Sequence, residues 1–231
     1  MKDCIKDKPL AITWGDIFGV YGIVYVLVVL DVFAWKLGFS IAENVLWACV
    51  LLASFGLPMV CVRRRREDDF QAGIAFQFRF RDCIWGIAAM AILAVPIVLG
   101  YHWLQTVWLG NEHSLSLSNY QQLQTPLIEE IFIQFLCVAL PEEFLYRGFI
   151  QTCIEKKLRL IPKFASSRFL PVFVVALPAL LFALVHLPNG GAVRLLTFFP
   201  GCLFGFLRLK SGSIASPVIA HALCNLIAIS F

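Results

Sequence analysis

Residues 10–35 read LAITWGDIFGVYGIVYVLVVLDVFAW, and Asp16 and Asp31 are the only charged residues in this stretch. An α-helix rises about 1.5 Å per residue, so about 20 apolar residues are enough to cross the hydrocarbon core of a bilayer. The stretch meets both requirements of length and composition. It predicts a transmembrane helix that follows the charged start of the chain, MKDCIKDK at residues 1–8.

Six further apolar segments follow, each near the length that one span requires. They cover about residues 44–62, 83–109, 127–154, 169–188, 195–209 and 213–231, and the segment at 195–209 is short and interrupted by glycine. Only 15% of the 231 residues are charged, whereas a soluble domain has about 25%. The sequence therefore predicts a single all-α membrane domain over residues 1–231, a polytopic bundle of about seven spans. No polar stretch is long enough to bind nucleic acid.

Lysine and arginine predict the orientation because they concentrate in the cytoplasmic loops of membrane proteins. With a cytoplasmic N-terminus, only Lys36 and Arg194 fall on the outer side, and Arg147 lies within a span. The inner side then carries Lys2, Lys6, Lys8, Arg63–Arg66, Arg79, Arg81, Lys156, Lys157, Arg159, Lys163, Arg168, Arg208 and Lys210. The charged loop at residues 63–82 is expected to be solvated there, or else to lie along the inner membrane surface. This distribution predicts a multi-pass protein with a cytoplasmic N-terminus. The membrane expected for it is the bacterial inner membrane.

Three polar motifs interrupt the apolar segments. They are EEFLYR at 142–147, FALVH at 182–186 and HALCN at 221–225. A charge at the bilayer centre costs roughly 2.5–3.5 kcal/mol, so these side chains must pair or reach water. Glu143 and Arg147 lie four residues apart on one helix face, which predicts a salt bridge. Glu142 is left without an in-register cation.

Pro141 precedes the two glutamates and has no backbone N–H, so we expect a helix defect near Cys137 and a water-containing pocket beside Glu142. Helix rise places Glu142 about 24 Å and His186 about 26 Å above the basic helix ends, in the outer half of the membrane. By the same helix rise, His221 and Asn225 of the third motif lie somewhat lower in the membrane than Glu142 and His186, yet close enough to meet them. A carboxylate beside an imidazole suits activation of water, and converging amide and imidazole donors suit an oxyanion.

The three motifs resemble those of the CPBP family of CAAX proteases and bacteriocin-processing enzymes, also called the Abi family. The family pattern is EExxxR, then FxxxH, then HxxxN or HxxxD, and its residues here are Glu142, Glu143, Arg147, Phe182, His186, His221 and Asn225. The resemblance covers about residues 126–231. Residues 1–125 carry no family motif and are expected to complete the fold around these core spans.

This resemblance implies an intramembrane endopeptidase of the glutamic type that cleaves a membrane-anchored protein or peptide. It implies that Glu142 and His186 activate water, that His221 and Asn225 stabilise the oxyanion, and that Glu143, Arg147 and Phe182 support the site. It implies no cofactor; a zinc-dependent variant stays open, although no HExxH occurs. The alternatives are a non-catalytic immunity or regulatory membrane protein, and a transporter or proton relay.

Four other acidic residues are expected to have no catalytic role. Glu129 and Glu130 lie near the outer end of the fourth span and are expected to be interfacial, or else to line the path of the substrate. Asp16 and Asp31 are expected to face the bundle interior or the interface without a function.

Overall fold

A computed structural model describes residues 10–69, 72–75, 78–103, 106–107, 110 and 126–229 of the chain. This part is helical and contains no strand, which confirms the prediction of an all-α bundle. The ends of the third and seventh predicted spans, at 104–105, 108–109 and 230–231, lie outside the described residues. The main helices are α1 Trp14–Lys36, α2 Ser40–Arg64, α3 Phe80–Trp103, α4 at residues 127–159, α5 Leu170–Val185, α6 Phe198–Ser211 and α7 Ala215–Ile229.

Four helical stretches in the described part are long and apolar enough to cross a membrane. They are Trp14–Lys36, Ser40–Arg64, Phe80–Gly100 and Gly191–Ser211, while α5 and α7 are apolar but shorter. The last of the four exceeds its predicted range because a 3₁₀ segment runs without a break into α6. Large apolar side chains such as Ile41, Leu52 and Ile92 are exposed on the outer surface, as a lipid-facing surface requires.

Helix α4 alternates between α and π geometry around Pro141. Two π segments, Ile133–Ala139 and Phe144–Ile150, flank the short α segment Leu140–Glu143. A π segment is rare and often marks a functional site. The defect expected near Cys137 therefore takes the form of a wider helical turn, and the helix continues through it. Every residue of the second π segment is buried.

Helix α4 forms the centre of the bundle. Three pairs of helices pack against each other: α1 with α2, α3 with α7, and α5 with α6. Helix α4 contacts α2, α5 and α7. The phenol of Tyr21 in α1 donates a hydrogen bond to the carbonyl of Leu181 in α5, at 3.2 Å. The first two helices are thereby joined to the helices that carry the motifs.

Several basic helix ends meet at one end of the bundle. Asp16 caps the start of α1 through Thr13 and also pairs with Arg65, just beyond α2, at 2.8 Å. Lys157 of α4 donates to the carbonyl of Leu10 at 3.1 Å. The N-terminal end of α1 and the C-terminal ends of α2 and α4 thus share one side, as the alternating orientation of the spans predicts.

The loop between α2 and α3 differs from the expected solvated or surface segment. Ala72, Gly73 and Ile74 are buried, and Gly73 lies directly against Gly148 and Thr152 of α4. The expectation was wrong for these three residues because a glycine with a φ of +80° allows the backbone to approach α4 closely. This short stretch covers the inner part of α4.

Candidate active site

Glu143 and Arg147 form a fully buried ion pair on α4, with Arg147 Nη1 3.0 Å from Glu143 Oε1 and both side chains at 0% exposure. The predicted salt bridge is confirmed. The second guanidinium nitrogen of Arg147 donates to the carbonyl of Gly201 in α6 at 3.0 Å. The guanidinium carbon lies 4.4 Å from the ring centroid of Phe182 and 5.3 Å from that of Phe204. These contacts stabilise the buried cation through hydrogen bonds and cation–π attraction, while its Nε has no hydrogen-bond partner within the described residues.

His221 of α7 lies between the two glutamates. Its Nδ1 is 2.8 Å from Glu143 Oε1, and its Nε2 is 3.7 Å from Glu142 Oε2. Arg147 also donates to this oxygen of Glu143, so the oxygen is an acceptor and the proton of the second bond is assigned to His221 Nδ1. The spacing of the motifs did not predict this bond, since it indicated Arg147 as the partner of Glu143.

Two phenylalanine rings hold the His221 imidazole in place. Phe204 stacks on it with ring centroids 4.8 Å apart, and Phe182 meets it edge-on at 5.6 Å. Phe182 also contacts His186 at 4.7 Å between centroids. Phe182, the phenylalanine of the second motif, thus contacts both histidines and Arg147 and holds a central position in the site.

His186 caps the C-terminal end of α5. Its Nδ1 lies 2.7 Å from the carbonyl oxygen of Phe182, one turn earlier in the same helix. A carbonyl oxygen only accepts hydrogen bonds, so Nδ1 carries the proton and Nε2 of the neutral ring is an acceptor. His186 is therefore held in the tautomer that a base or a water-orienting group needs.

Glu142 and His186 line one cavity of about 160 Å³ between α1, α2, α4 and the end of α5. The pocket expected beside Glu142 is thus found. Glu142 is 30% exposed, and its Oε2 has no hydrogen-bond partner within the described residues. The remaining lining residues are Val28, Asp31, Val32, Trp47, Val50, Leu51, Ser54, Cys137, Val138, Pro141, Val185 and Asn189.

Asn225 lies one turn beyond His221 and belongs to a chain of polar side chains. Its Nδ2 donates to Gln134 Oε1 at 2.9 Å, and Gln134 Nε2 donates to Glu130 Oε1 at 2.8 Å. Gln134 is 9% exposed. Sequence reasoning missed this residue, although a glutamine four residues after Glu130 in an apolar segment was a visible signal. Glu130 is thus bonded to the site, beyond the interfacial role expected for it.

The described residues contain no group of three or more His, Cys, Asp or Glu side chains arranged to hold a metal ion. Glu142, His186 and His221 are therefore not placed as one zinc ligand set. A partly exposed carboxylate, Glu142, and an imidazole acceptor, His186, face one cavity, which suits proton transfer. His221 of α7 lies beside Glu142, whereas the side chain of Asn225 is bonded to Gln134. The ion pair of Glu143 and Arg147 on α4 supplies a fixed electrostatic environment.

A comparison with known protein families gives a match in the part of the chain that carries the three motifs. Residues 123–227 match the family described as Rce1-like, type II CAAX prenyl endopeptidase Rce1-like. No curated protein and no solved structure gives a significant match. The matched region contains all three motifs and the helices that carry them, from α4 to α7. The family is a protease family of membrane proteins. Residues 123–227, which form the candidate active site, are therefore similar to the Rce1-like family of CAAX proteases.

Proposed function

We propose that this protein is an intramembrane endopeptidase of the glutamic type. The observation that carries the proposal is the cavity that Glu142 and His186 share, with Glu142 Oε2 also 3.7 Å from His221 Nε2. The family match supports peptide hydrolysis at the level of the family. The arrangement of these side chains supports the roles proposed below for individual residues.

In the proposed reaction, Glu142 acts as general base. A water molecule in the cavity gives a proton to Glu142, and its oxygen attacks the carbonyl carbon of the scissile bond. His186 Nε2 accepts a hydrogen bond from the second O–H of this water and orients it, because Nδ1 is bonded to the carbonyl of Phe182. That second hydrogen stays on the attacking oxygen. Glu142 then returns the proton to the leaving amine nitrogen as the C–N bond breaks, so the carboxylate is regenerated.

His221 and Asn225 are proposed to stabilise the oxyanion. Asn225 uses one N–H on Gln134 and retains a second one for the substrate. In this proposal His221 donates from Nε2 to the oxyanion with its ring doubly protonated. Two glutamates, Arg147 and a protonated His221 then sum to zero charge, which suits an apolar interior.

The proposed substrate is a membrane-anchored protein or peptide, since the site lies among apolar helices and the family acts on membrane-associated proteins. The proposed location is the bacterial inner membrane, with the N-terminus in the cytoplasm. No cofactor is needed for the proton transfers described above, and a zinc-dependent reaction is an outcome that the following experiment distinguishes.

The test is cleavage by the purified protein in lipid bilayers. Prenylated CAAX peptides and C-terminally anchored peptides are offered as separate substrate sets, and products are identified by mass spectrometry. Glu142→Ala and His186→Ala are each expected to lower the cleavage rate by about 10²–10⁴-fold, the usual contribution of acid–base groups. Glu129→Ala, at an exposed position on the same helix, is the matched control and should cleave normally.

Cleavage that persists in both site variants would contradict the assigned roles. Cleavage that stops on strong chelation and returns with zinc would contradict the metal-free reaction while leaving the protease itself intact. Activity unchanged by chelation is the expected result.

A further inference from the structure

Asp31 of α1 lines the same cavity as Glu142 and His186. Helix α1 is fixed against the motif-bearing helices by the bond from Tyr21 to Leu181, and Tyr21 also meets Tyr146 of α4 edge-on with centroids 6.5 Å apart. Asp31 therefore belongs to the wall of the candidate active site, although it lies outside the region that the family match covers.

The carboxylate of Asp31 has an unused acceptor. Its Oδ1 is buried and has no hydrogen-bond partner within the described residues. An ionisable side chain within a transmembrane helix is costly and usually pairs or serves a function. The other carboxylate on this cavity, Glu142, has the same charge and cannot compensate it. The cavity thus presents an acceptor that suits a positively charged or strongly donating group from outside the chain.

The rest of the cavity wall restricts what that group can be. Val28, Val32, Val50 and Leu51 are aliphatic, and Trp47 contributes an aromatic ring. The volume of about 160 Å³ is close to the roughly 150 Å³ of an apolar cavity that accepts one benzene-sized molecule. The aliphatic part of the wall, together with the Asp31 carboxylate and the Trp47 indole, fits a side chain that has an apolar stem and a cationic head. Lysine and arginine have this shape.

We propose that this cavity is a substrate subsite for a lysine or arginine side chain near the scissile bond, with Asp31 as its counter-ion. The proposal rests on the proposed protease function, because the side chain enters the same cavity as the reacting water. Asp31 then determines specificity: it binds the substrate and takes no part in proton transfer.

A peptide library tests this subsite with defined probes in place of the native substrate. One transmembrane peptide scaffold carries Lys, Arg, Gln, Leu or Glu at each position in turn, and mass spectrometry gives the cleavage site and rate. Wild type is expected to prefer Lys or Arg at one position by about tenfold to a hundredfold, as one charge-assisted hydrogen bond provides. Asp31→Asn should lose this preference yet still cleave the Gln and Leu peptides, and Asp31→Glu should retain it. Asp16→Asn, in the same helix but bonded at the basic end, should keep the wild-type preference.

The outcomes separate the subsite from the protease. Cleavage by wild type without a basic preference, or with a preference that Asp31→Asn retains, would overturn the subsite alone. Loss of all cleavage in an Asp31→Asn variant that melts like wild type would also overturn it, because Asp31 would then act in the reaction itself. Failure of wild type to cleave any peptide would overturn the protease and the subsite together.

Discussion

Glu142 and Glu143 are neighbours in the chain but occupy different environments. The side chain of Glu142 is 30% exposed to a cavity, whereas that of Glu143 is fully buried and accepts from both Arg147 and His221. In the proposed reaction Glu142 exchanges protons, whereas Glu143 binds Arg147 and His221. The same substitution at the two positions should therefore have different consequences.

Glu143→Gln is expected to destabilise the protein, because it leaves Arg147 buried without an ionised partner. Breaking a buried ion pair in this way costs about 3–5 kcal/mol. Glu142→Gln should change the melting temperature little, since its Oε2 makes no hydrogen bond in the described structure, yet it should abolish cleavage. Thermal unfolding in detergent and cleavage in bilayers measure the two effects. Equal melting temperatures for the two variants would contradict the division of roles.

Gln134 is expected to position Asn225, because its Oε1 accepts from the amide nitrogen of Asn225. Gln134→Leu should lower kcat by about tenfold with little change in KM, a smaller loss than the roughly 10²–10³-fold effect of removing an oxyanion donor. Gln151→Leu is the matched control. Gln151 is a buried glutamine of the same helix that donates to the carbonyl of Gly205, so its loss should lower stability and leave kcat unchanged. A similar fall in kcat for both variants would contradict the positioning role.

The sequence predicted those site contacts that lie along one helix. The pair of Glu143 and Arg147 follows from helical spacing, and the cavity beside Glu142 follows from Pro141. The bond between Glu143 and His221 joins α4 to α7, and helical spacing carries no information on which imidazole nitrogen faces which carboxylate. The same reason applies to Gln134 and Asn225, which lie 91 residues apart.

At the level of elements, the boundaries of the helices followed from hydropathy, while the burial of the loop before α3 did not. Ala72, Gly73 and Ile74 pack on α4 through a single close approach at Gly73. The surrounding loop has a charged composition, which does not predict this contact. The contact depends on Gly148 and Thr152, which lie far along the chain. The loop thus contributes to the core that supports the second π segment of α4.

Gly73→Ala is expected to destabilise this packing. Its φ of +80° disfavours any side chain, and an added Cβ would lie 2.7 Å from Thr152 Cβ and closer still to the carbonyl of Gly148. The left-handed conformation alone costs about 1–2 kcal/mol. The free energy of unfolding should therefore fall by at least about 1 kcal/mol. Gly56→Ala in α2 is the matched control: nothing lies within 4 Å of its added Cβ, and it should be neutral or slightly stabilising. Equal melting temperatures for the two variants would contradict the close approach.

At the level of the whole molecule, one end of the bundle collects the basic helix ends. Arg65 pairs with Asp16 at this end and Lys157 bonds to Leu10, so the ends of three helices are fixed on a common side. The hydrogen bond that Arg65 donates to Asp16 raises the pKa of Arg65, and an arginine is charged at physiological pH with or without such a bond. In a membrane protein, the side that carries more lysine and arginine usually faces the cytoplasm. The geometry establishes that the ends lie together, and the charge predicts which compartment they face.

Cysteine labelling measures that orientation directly. In a variant whose native cysteines are replaced, Ser166→Cys lies on the basic side and Ser40→Cys at the start of α2 on the opposite side, both at exposed positions. In intact cells, a membrane-impermeant maleimide should label position 40 and leave position 166 unlabelled until the membrane is opened. The reverse pattern would place the basic end outside the cell and would require the candidate active site to lie nearer the cytoplasm. Because Glu142 lies roughly 24 Å of helix from the basic end, this one measurement also decides from which half of the membrane a substrate reaches the cavity.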